Sequence, residues 1–460
     1  MFLAVTSCGA DGEPSSGTTI ATVPAEPATG VVPAPLTSTL PASTVPTVTA
    51  PSTSTSTGDL GRGADPGVAI EVGAARAAGE GFTLLRGRRV GLITNTASQI
   101  DGQPLVEVLA HSAEVDLVVV FSPEHGVDGG RPAGVAVDDS ADTGGGFVVR
   151  SLYGVNRAPT PASLSEVDVL VFDLQDVGVR AYTYLSTMGL AMEAAAKADI
   201  PFVVFDRPNP LGGRYLGGFT RRSGFESFIS QYPVPAAHGL TAGELAQAIQ
   251  GEGWLPGLEQ LDLQVVTMTG WQRADTWSAT GLDWLPPSPS LPTVEAAAVY
   301  PATVLFEATT MSLGRGTAEP FTLLGSPWVD GVEVAAELNQ RQLPGVRFEP
   351  AEFTPVASPS VPSPTYEGER LTGIRIVVTD EARVEAVELG VHLLEVFWRH
   401  GGTRGVGPLI DRGATLDLLA GGGELRAGIE AGVSASAIID QWQAEIEAFD
   451  TLRRPYLLYD

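Results

Sequence analysis

"VDLVVVFSPEHG" (115–126) is apolar at Val115 and from Leu117 to Phe121, then turns to Pro123, Glu124, His125 and Gly126. A continuous apolar run, rather than an alternating one, marks a strand covered on both faces, as in a parallel sheet between helical layers. The same pattern recurs in "RRVGLITN" (88–95), "VDVLVFDLQDVGVR" (167–180), "IPFVVFDRPNP" (200–210) and "LQVVTMTGW" (263–271). Between these runs lie helical patterns, "LSTMGLAMEAAAKA" (185–198) and "TAGELAQAIQGEG" (241–253). Thr241 with Glu244 three residues on predicts a capping box at the start of the second. Alternating strand and helix predict an α/β fold, a Rossmann-like doubly wound parallel sheet over residues 66–295.

Past the proline-rich "WLPPSPSLP" (284–292) the pattern changes. "YPATVLFEATTMSLGRGTAEPFTLLGSPW" (300–328) is rich in Thr and Gly, "LTGIRIVVTD" (371–380) reads as a strand and "VEAVELGVHLLEVFWRH" (384–400) as an amphipathic helix. These predict a smaller α+β domain over 296–460.

The chain has 460 residues and a net charge of −27, which argues against a nucleic-acid partner, since a phosphate backbone needs a basic surface. No G-x-G-x-x-G follows the first strand and no P-loop lysine signature occurs, so no nucleotide or dinucleotide cofactor is expected. The single cysteine, Cys8, follows Val5-Thr6-Ser7, a small-residue run resembling a bacterial lipobox, although the usual basic n-region is missing. Residues 9–65 are dominated by Thr, Ser, Pro, Ala, Gly and Val, a composition that predicts a disordered tether. Together these predict a lipid-anchored, extracytoplasmic protein whose residues 1–8 are a partial lipoprotein signal. No later run of around 18 or more apolar residues suggests a membrane-spanning helix.

In open parallel sheets, ligands sit beyond the carboxyl ends of the strands. Here those ends carry Asn95, then Glu124 and His125, then Asp173, Asp176 and Arg180, then Asp206, Arg207 and Asn209. The five histidines, at 111, 125, 238, 392 and 400, show no paired metal-ligand spacing, so no metal is expected, although His125 with Asp173, Asp176 or Asp206 could meet an ion in space. Ser122 lacks a G-x-S-x-G elbow. A carboxylate mechanism remains, in which two carboxyl groups flank a glycosidic bond. Glu124 follows an apolar strand, where partial burial would favour a proton donor. Glu307, in "TVLFEATT", would meet it if the second domain folds over the sheet edge. Either glutamate could instead cap a helix or pair with an arginine. Arg180, Arg207 and Arg315 could pair with nearby aspartates or bind a substrate carboxylate. Tyr182, Tyr184, Trp271 and Trp284 could stack on sugar rings or belong to the core. The capping box leaves His238 without an assigned partner.

"SPEHG", "VFDLQDVGVRAYTYLSTM", "DRPNPLGG", "HGLTAGELA", "PSPSLP", "YPATVLFEATTMSLGRGT" and the terminal "RRPYLLY" resemble, in order, the exo-β-N-acetylmuramidase family, over roughly residues 66–460. The resemblance implies a cleft between two domains that releases N-acetylmuramic acid from non-reducing ends of peptidoglycan fragments. It places family glutamates on Glu124 and Glu307. His125, Asp173, Asp176, Arg180, Tyr182, Asp206, Asn209, His238 and Arg315 also fit the family pattern; with Asn95 from its strand end, all but His125 are expected substrate contacts, and His125 is expected to support Glu124. The sequence departs from the family pattern at Ser290, Ala308, Thr310 and Leu313. Those departures raise a rival reading, a wall-binding lipoprotein that keeps the fold without catalysis.

Overall fold

The computed structural model describes residues 69–136, 139, 146–405 and 407–460. Cys8 and the expected tether lie outside them. Six strands form one parallel sheet: β1 (Arg89–Thr94), β2 (Asp116–Ser122), β3 (Val148–Ser151), β4 (Val169–Asp173), β5 (Phe202–Phe205) and β6 (Leu263–Val266). Their order across the sheet is β3-β2-β1-β4-β5-β6, and all their pairings are parallel. This is the doubly wound order, and its direction reverses between β1 and β4. The expected fold class is therefore present. The edge strand β3 is an addition, since four residues with an arginine among them form no apolar run.

Both faces of the sheet are covered, which is why the strands read as unbroken apolar runs. Val90, Leu92, Val120, Val169, Val171, Val203 and Phe205 pack into one core. Ile93, Phe121, Phe172, Phe202 and Val204 face the opposite side and join a larger core. That larger core continues through Phe306, Phe397 and Trp442, so the second half of the chain is packed onto the first without a break.

Helix α1 (Thr183–Ala198) follows β4, and α2 (Ala242–Gly251) precedes β6. The expected capping box is present: the Thr241 side chain accepts from the Glu244 amide at 3.2 Å, and the Thr241 amide donates to Glu244 Oε2 at 3.0 Å. In the second half, α3 (Val294–Thr303) runs into a 3₁₀ turn, Val304–Ala308. Strands β7 (Leu323–Ser326), β8 (Val346–Phe353) and β9 (Leu371–Val378) form an antiparallel sheet in the order β8-β9-β7. Helix α4 (Gly331–Gln340) packs on β8 and β9, while α5 (Ala386–Arg404) packs on α3.

The chain ends by returning to the first sheet. Tyr459 donates to Asp206 Oδ2 at 2.6 Å, and the Leu458 amide donates to Glu244 Oε1 at 2.9 Å. Arg453 Nη1 donates to the carbonyls of Gly213 and Gly239, both at 2.9 Å. The apolar tail thus closes the ends of β5 and α2 to solvent.

Candidate active site

Strand β2 stops at Ser122 because Pro123 has no amide hydrogen to continue the ladder. The next residues turn sharply: His125 has φ +74° and Gly126 φ +82°. A positive φ is uncommon for a residue with a side chain and costs on the order of 1–3 kcal/mol, so neighbouring contacts must hold it. Here the loop clamps itself. His125 Nδ1–H donates to the Arg131 carbonyl at 2.8 Å, and the Arg131 amide donates to the His125 carbonyl at 3.0 Å. That bond fixes the tautomer and leaves Nε2 as an acceptor. Burial pushes the His125 pKa down, outweighing the opposing pull of the Glu124 carboxylate. The imidazole is therefore neutral at pH 7.

Glu124 is buried, at 8% exposure, and both its oxygens are held. The Gly134 amide donates to Oε1 at 2.8 Å and the Thr183 hydroxyl to Oε2 at 2.7 Å. Thr183 is the first residue of α1, so the loop after β4 positions the carboxyl that leaves β2. Beneath it, Tyr184 donates to the Pro287 carbonyl at 2.5 Å and accepts from Asn95 Nδ2 at 3.0 Å. Burial pushes the neighbouring Tyr153 phenol up, and the Glu124 carboxylate adds to that effect.

The second carboxyl arrives from the other half. Within Val304–Ala308 the flanking residues are buried, and Glu307 alone is partly open. Arg315 Nη2 pairs with Glu307, and the guanidinium lies 5.0 Å from the Phe321 ring centroid, a cation–π contact. Gly314 makes the turn before it with φ +68°; a Cβ there would sit 2.8 Å from the Glu319 carbonyl oxygen. Between the walls runs a line of edge-on aromatics. Tyr184 and Tyr182 are 4.8 Å apart, Tyr182 and Tyr300 6.0 Å, and Tyr300 and Phe321 5.0 Å.

Glu124, His125, Tyr182, Glu307 and Arg315 line one cleft of about 400 Å³. This is a volume suited to a sugar-sized ligand. The expected meeting of the two glutamates across a cleft therefore holds, and the remaining walls mix residues of the quoted motifs with positions that no motif marks. Tyr153 follows the unforeseen strand β3. Ser288 and Ser290 sit in a stretch that reads both as a linker and as the family-like "PSPSLP", and Arg412 has no signature around it. Of the family departures, Ser290 and Leu313 face the cleft. Ala308 is buried outside its lining, and the Thr310 backbone bonds to Leu409 and Tyr366.

The remaining expected substrate contacts are not among the residues that line this cleft, and their side chains hold the surrounding loops. Asp173 forms a two-pronged ion pair with Arg207, at 2.5 and 2.9 Å. Asp176 Oδ2 accepts from the Gly178 amide at 2.6 Å, and burial pushes its carboxyl up to about 7. Arg180 donates to the carbonyls of Phe219, Val234 and Leu419 and so joins the two halves. Asp206 accepts from Thr241 and Tyr459, Asn209 Nδ2 donates to the Leu240 carbonyl, and Asn95 holds Tyr184. His238 Nδ1 accepts from the Leu240 amide at 3.2 Å, and burial pushes its pKa down to about 3. Trp271 packs on Tyr459 and Trp284 on Trp277, also away from the cleft.

Two profiles of one family cover nearly all the described chain: exo-β-N-acetylmuramidase NamZ, N-terminal, over residues 90–295, and its C-terminal counterpart over 298–459. The peptidoglycan β-N-acetylmuramidase NamZ of Bacillus subtilis is 41% identical over 376 residues, covering 82% of this chain and 88% of that protein. Two crystal structures of DUF1343 family proteins from Bacteroides fragilis share the fold. One has TM-score 0.78 and 35% identity, covering 86% of this chain and all of that one. The other has TM-score 0.71 and 30% identity, covering 85% and 99%. This chain belongs to the exo-β-N-acetylmuramidase NamZ family.

Proposed function

We propose that this protein is an exo-acting glycoside hydrolase that releases N-acetylmuramic acid from the non-reducing ends of peptidoglycan fragments. The observation that carries the reading is the pairing, in one sugar-sized cleft, of a buried glutamate from the parallel sheet with a second glutamate from the other half. Glycosidic hydrolysis needs a proton delivered to the leaving oxygen and negative charge near the oxocarbenium-like transition state. Glu124 is the proton donor. Thr183 suits that task because a hydroxyl can donate to the carboxylate or accept from the acid, serving both protonation states of one cycle. Glu307 is the second carboxylate, oriented by Arg315. His125 is a neutral acceptor that supports Glu124 without competing for the proton.

The test is incubation with the disaccharide in which N-acetylmuramic acid is β-linked to N-acetylglucosamine, followed by NMR. The expected product is free N-acetylmuramic acid, and its first anomer reports retention or inversion. Absence of that sugar, with cleavage only inside longer glycan strands, would refute the exo reading.

We also propose that Cys8 is lipidated and that residues 9–65 tether the enzyme outside the cytoplasmic membrane. The lipobox-like run and the Pro/Thr-rich composition support this. Protein expressed in a bacterial host is expected to enter the detergent phase on phase separation, and Cys8→Ala to stay in the aqueous phase. Identical partitioning of the two would contradict the anchor.

A further inference from the structure

N-acetylmuramic acid differs from N-acetylglucosamine by a lactyl ether that ends in a carboxylate. On a chain of net charge −27, a cleft that prefers the muramyl sugar needs a cation at the position of that group. Among the described residues that line the cleft, the cationic side chains are Arg315 and Arg412, His125 being held neutral. Arg315 is committed, with its guanidinium paired to Glu307 and lying over Phe321. Arg412 is held differently. Its backbone amide donates to the Ala308 carbonyl at 3.2 Å and its Nη2 to the Thr309 carbonyl at 2.8 Å. Both acceptors directly follow Glu307 in the chain. Among the described residues its one carboxylate contact is the adjacent Asp411, at 3.4 Å from Nε and on an exposed flank. The first bond holds the Arg412 main chain beside the Glu307 turn, and the second holds its guanidinium on a carbonyl that carries no charge. The side chain is half exposed, and the residue lines the cleft.

We infer that Arg412 is a specificity-determining residue that binds the lactyl carboxylate of the terminal N-acetylmuramic acid, while Arg315 positions Glu307. This rests on the muramidase reading above. Charge-assisted hydrogen bonds between guanidinium and carboxylate are stronger than neutral ones and have a directional geometry that lysine lacks.

The experiment measures two quantities on wild type, Arg412→Ala and Arg412→Lys. One is the ratio of kcat/KM on matched aryl β-glycosides of N-acetylmuramic acid and N-acetylglucosamine. The other is the affinity of the two free sugars by calorimetry. The muramyl preference is expected to fall about 10- to 100-fold in Arg412→Ala. Arg412→Lys should recover part of it, and the affinity ratio should follow the kinetic one. A purely structural role would weaken both sugars alike. An unchanged preference in Arg412→Ala, or equal losses on both sugars, overturns the inference. The binding arm separates the two readings. If wild type turns over neither glycoside yet binds N-acetylmuramic acid preferentially through Arg412, the hydrolase reading fails and this one stands. Normal muramyl turnover with an undiminished preference in Arg412→Ala gives the reverse.

Discussion

Glu124→Gln is expected to lower kcat on the muramyl disaccharide by about 10³-fold, within the 10²–10⁴ that positioned acid–base catalysis supplies. The reason is local. The carboxyl is buried and held by the Gly134 amide and the Thr183 hydroxyl, so it is fixed in the cleft before substrate arrives. Glutamine keeps the shape and can keep one acceptor, but it has no proton to deliver. Thermal melting should move little, since the substitution is isosteric and leaves no uncompensated charge. Neutral His125 cannot take over, because its Nδ1–H is spent on the Arg131 carbonyl and burial disfavours a second proton. Near-normal turnover by the variant would remove Glu124 from the mechanism.

The second large effect is on stability. Asp173 lies at the end of β4, and its fork with Arg207 is among the most buried ion pairs, with side-chain exposures of 0% and 8%. Asp173→Ala should destabilise the fold by about 3–5 kcal/mol, because it leaves a guanidinium in the interior without its counter-charge. Arg207 Nη2 has one further contact, the Gln99 carbonyl at 3.5 Å, too long to compensate. The double variant Asp173→Ala/Arg207→Ala should lose much less than the sum of the two single losses. Denaturant unfolding of all four proteins measures this coupling. Additive losses would mean that the pair does not act as a unit. A role for Asp173 in substrate binding would instead appear as a raised KM in a protein of normal stability.

The apolar runs at 88–95, 115–126, 167–180 and 200–210 are strands because both their faces are buried, a property written into composition. The pair Glu124–His125 was legible as a candidate because it ends an apolar strand, on the edge where open parallel sheets bind ligands. Glu124, His125 and Tyr182 do reach the cleft, whereas Asp173, Asp206, Asn209 and His238 do not. A polar residue at a strand end looks the same in sequence whether its partner is a sugar or the next loop. The deciding contacts are distant in the chain: Tyr459 reaches Asp206, and Leu419 receives Arg180. Arg412 was missed for the same reason. Its place beside Glu307 depends on how residues far along the chain pack back, and no local pattern marks it. Ser288 and Ser290 lie in a proline-rich stretch whose composition reads as a linker, whose "PSPSLP" resembles the family motif, and which folds into a wall of the cleft.

The most direct test of Glu124 as proton donor is how much its loss depends on the leaving group. A natural sugar leaving group must be protonated as it departs, whereas a dinitrophenolate need not be. First-turnover release should be followed for Glu124→Gln and wild type on the muramyl disaccharide and on the dinitrophenyl muramide. The account predicts a loss of about 10³-fold on the disaccharide and less than about 10-fold on the activated glycoside. Equal losses on both substrates would contradict it, since a residue needed regardless of the leaving group is not its acid.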